Sequence, residues 1–130
     1  IIYFIKYYIA LYNSVWYYAY KEKGMNIQFK KGALVVCVLS LLARGDKYGY
    51  ELTETISESL TIASGTLYPI LRKLKEEEYV TTYLVDSGNG PARKYYSLTA
   101  KGRERQEKEK KEWEEFTLAV QRIIMEEKND

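Results

Sequence analysis

Residues 64–75 constrain the fold of this chain more than any other segment, because they combine helical periodicity with two chemically different edges. Leu67, Leu71 and Leu74 recur at intervals of three and four residues, which places them on one edge of a helix. The other edge carries hydroxyl-bearing and basic side chains. Pro69 fits such a helix only in its first turn, where few intrahelical hydrogen bonds are lost. The segment predicts a short helix that buries one edge and offers the other to a partner.

A predicted β-hairpin follows this helix. Residues 79–85 are rich in Tyr, Val and Thr, residues 86–91 form a turn, and residues 93–98 return as a second strand. The second strand begins with Arg93 and Lys94, so the hairpin tip is positively charged. A polar helix beside a basic hairpin is the arrangement through which a winged helix-turn-helix meets DNA. The pattern favours a transcriptional regulator.

Two more helices are predicted ahead of this pair. Apolar residues recur at helical spacing across residues 34–42, and Gly45 ends that helix. Tyr48, Leu52 and Ile56 lie four residues apart, so they share one face of a second helix. These two helices supply the apolar surface on which the third can pack.

A short connection precedes the third helix. The second helix is expected to end near residue 59, and residues 60–62 are too few for a helix, so they predict a brief strand or turn. Ser64 is the expected N-cap of the third helix. The predicted fold is mainly α with a small β-hairpin wing.

Residues 99–130 predict one long helix, which Thr99 caps. Residues 101–112 are almost all charged, with acids and bases three or four residues apart. An apolar stripe appears only beyond them, at Trp113, Phe116, Val120, Ile123 and Ile124. Its own domain offers nothing to cover that far end, so the stripe predicts a homodimer interface. The architecture is therefore a winged helix-turn-helix plus a long C-terminal dimerisation helix.

Composition excludes several classes of function. The 130 residues suit one domain with appendages, and a net charge of +2 is too small to indicate nucleic acid without regard to where the charges lie. There is no histidine, which removes histidine triads and histidine metal ligands. The single cysteine, Cys37, excludes an internal disulfide and reads as a small buried hydrophobe. We expect no enzyme activity, no cofactor and no metal.

Residues 1–24 differ from the rest, because they hold seven of the fourteen tyrosines and many residues with AT-rich codons. We interpret them as translated upstream sequence or a cloning artefact, with Met25 as the natural start. An extra helix that packs its aromatic residues on a partner chain is a second interpretation. A membrane segment is a third, but Lys6 and Asn13 fall within the apolar stretch and argue against it. A signal peptide is not indicated.

The chain resembles the PadR family of bacterial winged-helix regulators. The resemblance rests on residues 48–52 (YGYEL), residues 65–74 (GTLYPILRKL) and residues 93–99 (RKYYSLT), followed by Gly102. It spans about residues 28–125 and is closest to a compact branch with a single C-terminal helix. The acidic residues 76–78 depart from the pattern. We divide the chain into the segment 1–24, a winged helix-turn-helix DNA-binding domain at 25–98, and a dimerisation helix at 99–130.

The resemblance implies a cytoplasmic homodimer whose third helices enter successive major grooves of double-stranded DNA. The side chains opposite the leucine stripe are free to face DNA, and the hairpin tip adds phosphate or minor-groove contacts. The expected DNA-binding residues are Ser64, Thr66, Tyr68, Arg72, Lys73, Arg93 and Lys94. Two alternatives stay open: the basic residues form only a solvated face, or the domain is a winged-helix protein-interaction module without DNA specificity. Tyr48, Tyr50 and Tyr96 are expected to pack rather than to contact DNA.

Trp113 has two interpretations. Its place in the terminal helix is similar to that of a tryptophan that stacks on flat drugs in a multidrug-binding member of the compact branch. Two indoles around a two-fold axis, with Phe116 one turn on, would form a slot for a planar hydrophobic or cationic ligand. Alternatively, Trp113 only seals the dimer interface. The sequence thus predicts a regulator, expected to be a repressor. Under the first interpretation of Trp113, a small aromatic effector releases it from DNA.

Overall fold

The computed structural model of the chain describes residues 27–125. The interpretations of residues 1–24 and of Met25 lie outside the described residues, as does the final part of the predicted terminal helix. The described part contains four helices and three strands. In chain order these are α1 (Ile27–Ala43), β1 (Lys47–Tyr48), α2 (Gly49–Ser57), α3 (Leu67–Glu76), β2 (Val80–Val85), β3 (Arg93–Leu98) and α4 (Ala100–Met125). The predicted fold class is confirmed.

The core forms where the apolar edges of the helices meet the sheet. Its members are Leu34, Val38, Leu39, Leu42, Leu52, Ile56, Leu67, Leu71, Leu74, Val80 and Tyr96. The predicted stripes of all three helices supply most of this set. Cys37 is half-buried against the core, and burial raises the pKa of its thiol. A raised pKa disfavours the reactive thiolate, in keeping with its predicted role as a small hydrophobe.

The sheet is antiparallel with the strand order β1-β3-β2. The hairpin prediction is confirmed: Val80 pairs with Leu98 and Val85 with Arg93. The third strand, however, is not at residues 60–62, where the strand interpretation is wrong. Leu60 and Ile62 instead pack their side chains against the core. The free edge of β3 is taken by β1, where Lys47 pairs with Tyr96. Tyr48, predicted inside the second helix, belongs to β1 and is the N-cap of α2.

The N-terminal end of α3 differs from the predicted one. The helix begins after Thr66, so Ser64 is not the N-cap; Gly65, with φ +86°, separates it from the helix. Thr66 makes no side-chain capping hydrogen bond. Pro69 is the third helical residue, which agrees with its predicted place in the first turn.

At its other end α3 closes in a Schellman motif. The Tyr79 amide donates to the Leu74 carbonyl at 2.9 Å, and the Glu78 amide donates to the Lys75 carbonyl at 3.0 Å. Glu78 adopts φ +63°, a left-handed conformation that glycine usually supplies. This turn aims the chain directly into β2.

The start of α4 is fixed against this same turn. The Thr99 hydroxyl accepts a hydrogen bond from the Gly102 amide at 2.9 Å, which confirms Thr99 as the cap. That hydroxyl also lies 2.8 Å from the Glu78 carbonyl oxygen, to which it can donate. Gly102 is buried, and an added Cβ would lie 2.0 Å from the Tyr79 carbonyl oxygen. Only glycine permits this close approach of α4 to the end of α3.

Candidate nucleic-acid interface

The exposed face of α3 lies opposite the buried leucines. Tyr68 is 49% exposed, and Arg72 and Lys73 are exposed as well. Tyr68 and Lys73 are five residues apart, which is about 140° around the helix. The two side chains therefore leave opposite flanks of the exposed face, with Arg72 between them. Tyr68 faces the wing, whereas Lys73 faces α4.

Ser64 and Thr66 lie in the connection before α3 rather than in the helix. Ser64 is exposed in a turn, and Thr66 is half-buried at the N-cap. Both sit at the end of α3 from which its first backbone amides project, where helices commonly receive phosphate. The two hydroxyls thus extend the polar surface of α3 at its N-terminal end.

A cleft of about 730 Å³ separates α3 from the wing. Tyr68 lines one wall, and Arg93 and Lys94 of β3 line another. Tyr48 and Tyr50 also line the cleft, as do residues 87–92 of the wing tip other than Gly88. The structure therefore brings together three of the predicted DNA-binding residues, from segments about 25 residues apart in the chain.

Tyrosines stiffen the base of the wing. The rings of Tyr48 and Tyr95 lie 5.6 Å apart, as do those of Tyr83 and Tyr95. The Arg93 guanidinium carbon lies 4.9 Å from the centre of the Tyr48 ring, a cation–π contact that positions this side chain. Lys94 is exposed. Arg93 is therefore a preorganised cation at the mouth of the cleft.

The wing is also tied to the loop that follows α1. The Tyr83 hydroxyl donates to an Asp46 carboxylate oxygen at 2.7 Å. This hydrogen bond raises the pKa of Tyr83, with smaller contributions from desolvation and from the charge of Asp46. The sequence pattern gave no sign of this pair, because 37 residues separate its members.

Tyr50 is predicted to pack, and it does stack on Tyr48 with ring centres 6.2 Å apart, but it does not belong to the core. Its side chain is 57% exposed and lies in the cleft. Interaction of the Tyr50 hydroxyl with the nearby Glu54 carboxylate raises the pKa of Tyr50. Tyr96, by contrast, is buried in the core as predicted. Tyr50 leaves the core because its helix, α2, turns only Leu52 and Ile56 inwards.

A second groove, of about 670 Å³, runs along the other flank of α3. It is bounded by α1, α3 and α4, and Trp113 and Phe116 line its α4 wall. Their ring centres are 6.0 Å apart, and Trp113 is half-buried whereas Phe116 is 53% exposed. Lys73 and Ile70 line the α3 wall. The predicted ligand residues thus share one groove with a predicted DNA-binding residue.

Charged side chains connect the two walls of this groove. Glu77 lies 3.9 Å from the Lys73 ammonium and 3.7 Å from the Arg105 guanidinium. Arg105 also donates to Glu109 at 2.7 Å and stacks 4.4 Å from the centre of the Tyr79 ring. Desolvation lowers the pKa of Arg105, but the hydrogen bond to Glu109 and the charges of nearby acidic groups raise it above its ordinary value. Arg105 is therefore a fixed cation beside α3.

The far end of α4 leaves its apolar side chains uncovered. Ile123 is 79% exposed, Ile124 is 59% exposed, and Val120 is half-buried. Leu118 and Met125 are also exposed. The predicted interface stripe is therefore largely exposed to solvent at this end of the chain.

The sequence and fold of the chain match known regulators. The family model of the transcriptional regulator PadR-like family matches residues 38–108. A crystal structure of a Streptococcus transcriptional regulator is 37% identical with a TM-score of 0.68, over 75% of this chain and 98% of that one. A PadR-like transcriptional regulator from Bacillus cereus strain ATCC 14579 is 32% identical with a TM-score of 0.67, over 75% and 96% of the two chains. The chain belongs to the PadR-like family of transcriptional regulators.

A third relative is named as a negative transcriptional regulator, PadR of Bacillus subtilis (strain 168). It is 31% identical over 75 residues, which are 55% of this chain and 41% of that protein. Members of the PadR-like family are transcription regulators rather than enzymes, so the expectation of no enzyme activity is confirmed. Within residues 27–125, no helix is long and apolar enough to cross a membrane.

The PadR-like match covers both walls of the wing cleft but ends before Trp113. Tyr68, Arg93 and Lys94 thus lie inside the shared region. Trp113 and Phe116 lie beyond it, on the part of α4 that the family model does not match. The family match therefore includes the predicted DNA-binding residues but not the predicted ligand-binding residues.

Proposed function

We propose that this PadR-like regulator is a sequence-specific repressor that binds double-stranded DNA as a homodimer. The observation that carries the proposal is the wing cleft, where Tyr68 of α3 meets Arg93 and Lys94 of β3. Tyrosine offers a hydroxyl to a base edge or a phosphate, and the two cations suit the DNA backbone. Together with PadR-like family membership, this arrangement supports DNA over a protein partner.

In this proposal α3 and the wing contact different parts of the DNA. The exposed face of α3 enters the major groove with Tyr68, Arg72 and Lys73, while Ser64 and Thr66 meet the backbone at the start of the helix. Arg93 and Lys94 bind phosphates or the adjacent minor groove. Residues 25–98 then act as the DNA-binding domain and residues 99–130 as the dimerisation helix. The negative role named for the Bacillus subtilis relative supports repression over activation.

Binding to an operator tests the proposal. The operator is first selected by the wild-type protein from a random duplex library, and affinity is then measured by fluorescence anisotropy over a range of salt concentrations. Tyr68→Ala should weaken operator binding by about 1–3 kcal/mol and relax the sequence preference. Lys73→Ala should weaken binding to all duplexes and flatten the salt dependence by about one unit of slope.

Lys108 provides a matched control for Lys73. Its side chain is 75% exposed and pairs with Glu112 at 3.9 Å, as Lys73 is 73% exposed and pairs with Glu77 at 3.9 Å. Lys108→Ala should leave affinity close to wild type. Wild-type operator affinity in a folded Tyr68→Ala/Arg93→Ala double variant would show that the assigned face is wrong. Failure of the wild type to bind any duplex, even at low salt, would favour the protein-interaction module.

We further propose that the groove beside Trp113 and Phe116 binds a planar hydrophobic or cationic effector, which releases the DNA. The aromatic wall suits stacking. Three carboxylates line the same groove (Glu77, Glu109 and Glu112) against two cations (Lys73 and Arg105), and this excess of negative charge favours a cationic ligand. An effector shifts DNA binding only if it prefers one spacing of the two DNA-binding domains over the other. The direct join of β3 to α4 through Thr99 provides a short route for that shift.

Tryptophan emission tests the effector. Titration with a planar aromatic cation should quench the emission of Trp113 and weaken operator binding, while Trp16 supplies a constant background. Trp113→Ala should abolish both responses and keep dimer and DNA affinity. Trp113→Phe keeps an aromatic ring but not the indole emission, so it should retain only part of the effect on operator binding. Dissociation of the Trp113→Ala dimer, with no aromatic compound acting on the wild type, would identify Trp113 as an interface residue instead.

A further inference from the structure

Lys73 does not point freely into solvent, although α3 exposes it. Its ammonium lies 3.9 Å from Glu77, one turn further along the helix. Glu77 also lies 3.7 Å from Arg105 of α4. We infer that the Glu77 carboxylate competes with DNA phosphate for Lys73 and thereby lowers the affinity of the protein for DNA. The inference rests on the proposed function, because it assumes that α3 meets DNA.

Arg105 explains why Glu77 is held at this place. The guanidinium is bound to Glu109 at 2.7 Å and stacked on Tyr79, so its position is set without Glu77. A fixed cation on α4 attracts the Glu77 carboxylate to the flank of α3 that carries Lys73. The carboxylate therefore lies between the two cations instead of sampling the solvent around the helix end.

The exposure of Lys73 makes the competition reversible. Its side chain is 73% exposed, and an exposed lysine–carboxylate pair with this separation is weak. DNA phosphate can displace Glu77 from Lys73, but the pair must first separate. Each phosphate contact that a protein gains adds a nearly fixed increment to the salt dependence of binding. Because Lys73 makes this contact in the complex with or without Glu77, the carboxylate is expected to reduce the affinity and to leave the salt dependence nearly unchanged.

Glu76 provides a matched control on the same helix end. It is exposed, precedes Glu77 by one residue and points about 100° away around the helix. The ion pairs found within residues 27–125 do not include it. By the helical repeat Glu76 lies four residues after Arg72, on the exposed face of α3 itself, so its substitution removes the same charge nearer to the DNA face than Glu77. A larger effect at Glu77 than at Glu76 then reports the Lys73 pair rather than the general charge of the helix end.

The experiment is anisotropy titration of the full chain with two labelled duplexes of about 30 base pairs, the selected operator and an unrelated sequence. Glu77→Gln should tighten binding to both duplexes about twofold to fivefold, because the exposed pair that it removes is weak. Glu76→Gln should change the affinity less than Glu77→Gln does. In a Lys73→Ala background, Glu77→Gln should have no more effect than Glu76→Gln. Glu77→Ala, checked for folding by circular dichroism, should repeat each result.

Three results would overturn the inference. Equal effects of Glu76→Gln and Glu77→Gln would show only a general charge effect. An undiminished effect of Glu77→Gln in the Lys73→Ala background would show that Lys73 is not the group for which Glu77 competes. A wild-type protein that binds neither duplex would overturn the proposed function and this inference together. A wild type that binds the operator without the expected coupling would overturn this inference alone.

Discussion

The two halves of α4 pack contrary to what their composition suggests. The charged first half is anchored to its own domain, although it has few apolar side chains. The apolar second half projects with its hydrophobic residues exposed, of which Ile123 is 79% exposed. Apolar content alone therefore does not tell which part of a helix its own domain holds.

Backbone contacts explain the anchored end. Gly102 lets the helix approach the Tyr79 carbonyl, and Thr99 joins the first turn of α4 to the end of α3. The Lys101 ammonium donates to the Glu77 carbonyl at 2.8 Å. Further along, the Gln106 amide donates to the Ser40 hydroxyl of α1 at 3.3 Å. At this end, hydrogen bonds and the close approach of Gly102 to Tyr79 hold the helix in the absence of an apolar stripe.

The exposed end has the chemistry of an interface that lacks its partner. The predicted stripe follows the helical repeat from Trp113 to Ile124, so its members lie on one edge and can be covered together, whereas Leu118 and Met125 lie on the opposite edge. A second copy of α4 could cover them across a two-fold axis. One half of the helix packs within its own domain, and we propose that the other half packs against a second copy of the chain.

The largest effect is expected from charges placed on the exposed end. Phe116→Lys with Ile123→Lys would bury two unpaired cations in the dimer interface, at a cost of several kcal/mol each. Analytical ultracentrifugation should show monomers that still have wild-type helical content. If a chain of residues 25–130 without these substitutions were already monomeric at micromolar concentration, the dimer interface would have to be sought in residues 1–24.

A substitution at the anchored end of α4 should destabilise the fold for a different reason. Gly102→Ala forces a methyl group against the Tyr79 carbonyl and Leu98, which should lower the free energy of unfolding by about 3 kcal/mol. Gly32→Ala is the matched control, because an added Cβ there meets nothing within 4 Å. That variant should gain up to about 1 kcal/mol from helix propensity. Equal denaturation midpoints for both variants would contradict the close approach.

A smaller loss of stability is expected when the Thr99 cap is removed. Thr99→Ala removes the acceptor of the Gly102 amide and the hydroxyl that faces the Glu78 carbonyl, so urea denaturation should show a loss of about 1–2 kcal/mol. Thr99→Ser retains the hydroxyl and should recover most of this. A loss confined to dimer affinity, with the domain unchanged, would mean that the anchored end depends on the partner after all.

Local patterns were sufficient where the interacting residues are neighbours in the chain. The leucine stripe of α3, the place of Pro69 and the Thr99 cap could all be predicted from spacing. Ser64 was misassigned as a cap because Gly65, with a left-handed backbone, delays the helix to Leu67. A serine three residues before a leucine stripe fits a helix that begins directly after it as well as one that begins at the first leucine. Spacing alone therefore cannot identify the cap.

Sequence by itself determined the winged helix-turn-helix, the basic wing and the apolar far end of α4, because each is a periodic or compositional property of a contiguous segment. Tertiary structure alone decided that β1 lies at Lys47–Tyr48 and that Tyr50 enters the wing cleft. It also decided that Lys73 shares a groove with Trp113 and a carboxylate with Arg105. These contacts join segments that the chain separates, and only the packing of α1, α3 and α4 into one domain brings their side chains within reach.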